Sequence, residues 1–176
     1  MNSAHDAMPF TPRILSLLND LHSGEPEKLD AAINKLKELY VNEGVRIIDQ
    51  LSLVLHHIDP ERRCDAIELL VIISPEKSIE KVLPLLNDPV DFVRNCVCQE
   101  IDFNDCDEPI LIEPLINALL SDPVSDIRYW AAKLLGKIGD SKARKALEYA
   151  KENDKEVNFE GDKVSDRAAW AIEQLS

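Results

Sequence analysis

The sequence predicts an all-α fold, a solenoid of about five antiparallel helix pairs. Three observations carry that prediction. Prolines stand where helices should begin, apolar residues recur between them at helical spacing, and segments of the second half repeat in register. Composition agrees. Of 176 residues 45% are apolar, enough for a sizeable core, while aromatics make up 5% and only five glycines occur. A core of Leu, Ile, Val and Ala suits helices packed on helices, and the shortage of glycine disfavours a turn-rich β protein.

The prolines mark the boundaries. Seven of the ten stand at candidate helix starts: Thr11-Pro12, Glu25-Pro26, Asp59-Pro60, Ser74-Pro75, Asp88-Pro89, Glu108-Pro109 and Asp122-Pro123. Proline suits the first helical position because the N–H it lacks has no intrahelical partner there. A preceding Asp, Ser or Thr accepts hydrogen bonds from the free amides of the first turn, and Glu does so less well. The first helix then carries Ile14, Leu17, Leu18 and Leu21 and stops near Gly24. The next carries Leu29, Ile33, Leu36 and Leu39. Val45, Ile48, Leu51, Leu55 and Ile58 form the third stripe, and Ala66, Ile67, Leu70 and Ile73 the fourth. Ile79, Val82, Leu83 and Leu86 form the fifth. Further helices are expected at roughly 89–102, 109–120, 123–138, 141–153 and 163–175. Paired in order, they give repeats at about 11–40, 43–73, 75–102, 108–139 and 141–175 of one domain spanning 1–176.

Laid in register, Asp88-Pro89-x-x-x-Val93-Arg94 repeats as Asp122-Pro123-x-x-x-Ile127-Arg128. Ile127, Ala131, Ala132, Leu134, Leu135 and Ile138 match Val164, Ala168, Ala169, Ala171, Ile172 and Leu175. Arg62, Ala66, Ile67, Leu69, Leu70 and Ile73 fit the same template. Paired alanines let neighbouring helices approach closely, and the larger aliphatics fill the layer between repeats, so stacking closes the core. The segment from Asp122 through Arg128, Ala131-Ala132, Leu134-Leu135-Gly136 and Ile138-Gly139-Asp140 resembles the second helix of a HEAT repeat. It is closest to the short bacterial HEAT-like repeats of the phycobilisome lyase type. That resemblance implies a right-handed superhelical stack whose second helices line a concave face. It also implies kinks at Pro84 and Pro114 inside first helices, and a ladder of Arg94 and Arg128 to acidic side chains between repeats. Ser165 takes the arginine position in the last repeat. The family consists mainly of binding scaffolds, with a minority of enzymes and chromophore lyases, and the fold does not choose among them.

Net charge is −13, from 33 acidic and 20 basic residues. Wrapping nucleic acid requires clustered cations to displace counterions, and no such cluster stands out, so neither nucleic acid nor an anionic membrane surface is an expected partner. No apolar run approaches the length of a membrane span. Met1 to Phe10 has neither the basic start nor the apolar stretch of a secretory signal, and a cytoplasmic location is expected. Cys64, Cys96, Cys98 and Cys106 match no zinc spacing and read as reduced, structural thiols.

No catalytic set, metal site or cofactor is expected. Phosphate loops, HExxH and paired CxxC motifs are missing, and His5 and His22 have no motif around them. His56-His57 ends a helix, where histidine commonly meets the negative end of the dipole. The run from Asp102 to Glu108 lacks the glycine and terminal glutamate of a calcium loop. The candidate binding residues lie instead on rows of the second helices. One row runs through Gln99, Lys133 and Trp170, another through Asn95, Tyr129 and Asp166, and Trp130 stands in a third. These rows should be partly exposed, and exposed aromatics with long polar neighbours make interface anchors. The plainer alternatives are that Trp130 packs under the next repeat and that Trp170 closes the end of the stack. Two acidic loops complete the set, one with Asp102, Asp105, Asp107 and Glu108, the other with Asp154 and Glu156; both read either as solvated or as steering a basic partner. The functional expectation is a non-catalytic protein-binding scaffold or adaptor, a small acidic inhibitor or toxin-neutralising immunity protein fitting its size and charge. The alternative, implied by the resemblance alone, is a bilin lyase, isomerase or chaperone.

Overall fold

A computed structural model describes residues 12–21 and 25–176. His5, Thr11, His22 and Gly24, and the side chains of Leu18, Leu21 and Leu29, lie outside the described residues. The described chain is all-α: α1 Pro12–Leu21, α2 Pro26–Glu43, α3 Val45–Val54, α4 Pro60–Ile73, α5 Pro75–Val82, α6 Asp91–Phe103, α7 Ile112–Ser121, α8 Ser125–Ile138, α9 Arg144–Asn153 and α10 Val164–Gln174. Short 3-10 turns at Leu83–Asn87, Pro109–Leu111 and Ser141–Ala143 join them. Among the described residues the one extended pairing is an isolated bridge between Val157 and Lys163. The chain divides into two compact units, Met1–Lys81 and Val82–Ser176.

In the first unit α4 packs on α1, α2 and α3, and α2 on α1 and α3. Ile14, Leu36, Leu39, Ile48, Leu51, Ile67 and Leu70 form its fully buried centre. Pro12, Pro26, Pro60 and Pro75 open their helices, as the punctuation requires. Asp59 caps α4 by accepting from the Glu61 amide at 3.0 Å. The link from α2 to α3 is the single residue Gly44, whose φ of +57° favours glycine.

The second unit has two layers. The second helices α6, α8 and α10 pack in succession, and so do the 3-10 turn Leu83–Asn87, α7 and α9 on the other side. Pro84 falls in the 3-10 turn where α5 has ended, and Pro114 in the first turn of α7. Pro89 and Pro123 do not open helices. The aspartate before each folds the chain into a tight turn, Asp88 Oδ1 accepting from the Val90 amide and Asp122 Oδ1 from the Val124 amide, both at 2.9 Å. The helices then begin at Asp91 and Ser125. Ala131, Ala132, Ala168 and Ala171 are fully buried, whereas Ala169 is half-exposed; α8 and α10 also approach closely at Gly136, where an added Cβ would stand 2.9 Å from Ala171.

Arginine rungs join successive repeats of this unit. Arg94 on α6 grips Asp122 through two bonds of 2.7 and 3.0 Å and donates to the Asp88 carbonyl at 2.9 Å. Arg128 on α8 repeats the pattern with Asp154, at 2.6 and 3.2 Å, and with the Asp122 carbonyl at 2.8 Å. Each guanidinium is held charged, its pKa raised first by the hydrogen bonds it donates to the carboxylate. Arg94 and Asp122 are both buried. Removing one partner of such a pair leaves the other charge buried, at a cost of about 3–5 kcal/mol. A third arginine occupies the same position in the first unit. Arg63, one residue past the Arg62 of the sequence template, donates to the His57 carbonyl at 2.8 Å. Where the later repeats use an aspartate, His57 Nδ1 accepts from the Asp59 amide at 3.0 Å. His57 is therefore a turn-forming residue.

Candidate functional site

The second helices of unit two carry a groove of about 650 Å³, floored by α6 and α8 and walled by the hairpin between α9 and α10. Five of the row residues meet there: Asn95, Gln99, Tyr129, Trp130 and Lys133. Asp166 and Trp170 do not reach it. They line an adjoining hollow of about 350 Å³ that shares Tyr129 and Arg167 with the groove.

The aromatic residues of the rows, expected to be partly exposed, differ in burial. Tyr129 is only 6% exposed. Its hydroxyl donates to Asp162 at 3.2 Å and accepts from Arg167, whose guanidinium lies 4.7 Å from the Tyr129 ring and 5.1 Å from that of Trp170. Burial raises the Tyr129 pKa, and the Arg167 contact only partly offsets this. Tyr129 is thus a wall fixed by its own neighbours. Trp170 packs against Gly136, where an added Cβ would stand 2.7 Å from the indole ring, so its main task is closing α10 onto α8. Trp130 is half-exposed, set edge-on to Tyr129 at 6.5 Å, and covered by the Lys133 ammonium 4.5 Å from its ring.

The acidic loops are less solvated than their composition suggests. Asp102, expected among free carboxylates, is 10% exposed on its side chain and takes Lys133 at 2.8 Å and Lys137 at 3.1 Å. Burial would raise its pKa, but the bonds from the two lysines outweigh burial and hold it below the usual value. Asp105 is exposed and shares Lys137 at 2.9 Å. Asp107 is exposed, and Glu108 is half-buried ahead of the 3-10 turn. Asp154 belongs to the Arg128 rung, with the exposed Glu156 on the same guanidinium at 2.9 Å. The cysteines are free thiols: Cys98 and Cys106 are buried, Cys64 and Cys96 half-buried. Burial pushes the Cys98 thiol up to about 12. Among the described residues no group of three or more His, Cys, Asp or Glu is placed to hold a metal ion. No described helix is long and apolar enough to cross a membrane.

The sequence pointed to the hairpin segment as an acidic loop, but not to Asn158, Gly161 and Phe159 within it, nor to Ser125, Asp126 and Phe92 at the groove rim. Asn158 is buried and organises the hairpin: its Oδ1 accepts from the Glu160 amide at 3.0 Å and the Asp162 amide at 2.8 Å. Gly161 supplies a φ of +90° at the turn. Ser125 Oγ donates to the Val157 carbonyl at 2.7 Å, and Asp126 Oδ1 accepts from the Phe159 amide at 2.9 Å, fastening the hairpin to the first turn of α8. Phe159 is left 93% exposed on this fastened tip, and across the groove floor Phe92 is 44% exposed. The signal that could have found Phe159 is a lone aromatic in the mostly polar insertion of the last repeat. For Phe92 there was no signal, since its position breaks the helical stripe.

Residues 111–141, which span α7 and α8, match the family described as HEAT repeat. The match falls on the segment whose residues carry the resemblance in the sequence. None of the curated proteins matches the chain. Among solved structures it is similar to the complex of CpcE and CpcF of phycocyanin lyase from Nostoc sp. PCC7120, at 15% identity and a TM-score of 0.30, with 99% of this chain and 98% of that one covered.

Proposed function

We propose that the chain is a non-catalytic protein-binding module, and that the groove floored by α6 and α8 receives a segment of a partner protein. Phe159 is the observation that carries this reading. A phenyl ring 93% exposed on a hairpin whose backbone is bonded to α8 is apolar surface presented at a defined place. An exposed aromatic lining the same groove as a half-exposed tryptophan is the composition of an interface anchor, and docking returns the free energy that its exposure costs.

The finer reading is a basic partner, which the net charge of −13 and the carboxylates around the groove support. A small acidic inhibitor of the toxin-neutralising kind is one form of it, in keeping with a chain of 176 residues. A bilin lyase or bilin chaperone has only the family resemblance behind it, and no residue of the groove favours it.

The test is affinity capture from the cognate lysate, comparing the wild type with Trp130→Ala/Phe159→Ala. Two anchor residues worth about 2 kcal/mol each make the expected loss of captured partner well over tenfold. Circular dichroism on the variant keeps misfolding apart from lost contact. Capture of no protein, or equal capture by both forms, overturns the reading.

A further inference from the structure

The groove carries its own cations, but they are spent. Lys133 is tied to Asp102 at 2.8 Å and lies over Trp130, and Arg167 is stacked between Tyr129 and Trp170 and bonded to the Tyr129 hydroxyl. Four carboxylates remain on the lining: Asp91, Asp126, Glu160 and Asp162. Among the described residues none of the four makes a salt bridge. Three of them accept from neutral groups: Asp91 from the Phe92 amide, Asp126 from the Phe159 amide and Asp162 from the Tyr129 hydroxyl. The charge that the groove presents to an incoming group is therefore negative.

Its apolar surface is of matching kind. Phe92 and Phe159 present phenyl rings beside those carboxylates. A ring face next to an acid is the environment of an arginine or lysine side chain, whose stem packs on the aromatic while its head reaches the carboxylate. The groove is open at the surface and its volume lies within the roughly 300–1,000 Å³ of small-ligand sites, enough for a few residues of chain and too little for a folded domain.

We propose that the occupant of the groove is an extended segment of a partner protein bearing arginine or lysine, with a cationic side chain laid on Phe92 and Phe159 and its head among Asp91, Asp126 and Glu160. This rests on the protein-binding reading above and specifies its ligand.

The experiment uses the full chain labelled with 15N and three synthetic decapeptides: one with alternating arginine and glycine, one with glutamate in place of arginine, and one with serine. The basic peptide is expected to shift the amide resonances of Phe92, Asn95 and Phe159, and to bind at least tenfold more tightly than the other two. Asp91→Asn/Glu160→Gln, which alters only surface side chains, is expected to weaken it about fivefold to tenfold, and added salt to weaken it further. Binding of the acidic or serine peptide as tightly as the basic one overturns the assignment while leaving a peptide groove in place. Argininamide alone matching the peptide overturns the extended segment in favour of a small cation. No shift at the groove with any peptide also overturns the proposal. The capture experiment, which needs no assumption about charge, reports separately on whether a protein docks there.

Discussion

Gly136 shows how one missing side chain sets a helix crossing. A Cβ there would lie 2.7 Å from the Trp170 ring and 2.9 Å from both Cα and Cβ of Ala171. Alanine favours a helix over glycine by about 1 kcal/mol. Against that gain stands a contact with the backbone of α10, which cannot step aside as a flexible side chain would, and overpacking of this kind costs about 1–3 kcal/mol. The clash should win. Gly136→Ala is expected to lower the urea midpoint by an amount equivalent to about 1 kcal/mol, and an unchanged or raised midpoint would show that α10 can shift freely. The opposite case is Phe159, where almost nothing touches the side chain and removal should leave the midpoint where it is.

At the scale of elements, Asp102 ties the last turn of α6 to α8 through Lys133 and Lys137. Its carboxyl titrates below the usual value in the folded chain, since the two lysine bonds overcome burial. A folded pKa below the unfolded one means a contribution present above the ordinary carboxylate range and lost as pH falls through the lowered value. The expected difference between wild type and Asp102→Asn is roughly 1–2 kcal/mol at neutral pH, after allowance for the part-exposed lysines. It should close below about pH 4. A gap that stays constant down to pH 2 would mean that the aspartate contributes by packing alone. The elements also show what the sequence could reveal. The repeated Asp-Pro-x-x-x-Val/Ile-Arg segment made the positions of Arg94 and Arg128 legible, and the family resemblance it carries implied their rungs. The turn at His57 was hidden because an imidazole nitrogen accepts the amide that an aspartate accepts elsewhere, so the geometry persists while the residue type changes. The groove rows through Asn95 and Tyr129 and through Gln99 and Lys133 followed from helical periodicity, whereas the hairpin that walls the groove follows no period and is fixed by bonds between residues about 32 apart, such as Ser125 to Val157.

For the whole molecule the dominant long-range term is the net charge of −13. Like charges spread over a small protein oppose compaction, and raising ionic strength from about 0.01 to 0.15 M shortens the screening length from about 30 to 8 Å. The buried Arg94–Asp122 pair is screened little by comparison. The thermal midpoint is therefore expected to rise over that range, in contrast to the salt-weakened peptide binding described above. A falling midpoint would put the stabilising ion pairs ahead of the repulsion. The rungs carry one last consequence. The α7–α8 repeat holds the acid for the arginine before it, Asp122 for Arg94, and the arginine for the acid after it, Arg128 for Asp154. A duplicated copy of such a repeat, spliced in at the matching turn, would arrive with both halves of its clasp provided. A cleanly excised one would let its neighbours join hands, so the array can lengthen or shorten in whole repeats without stranding a charge.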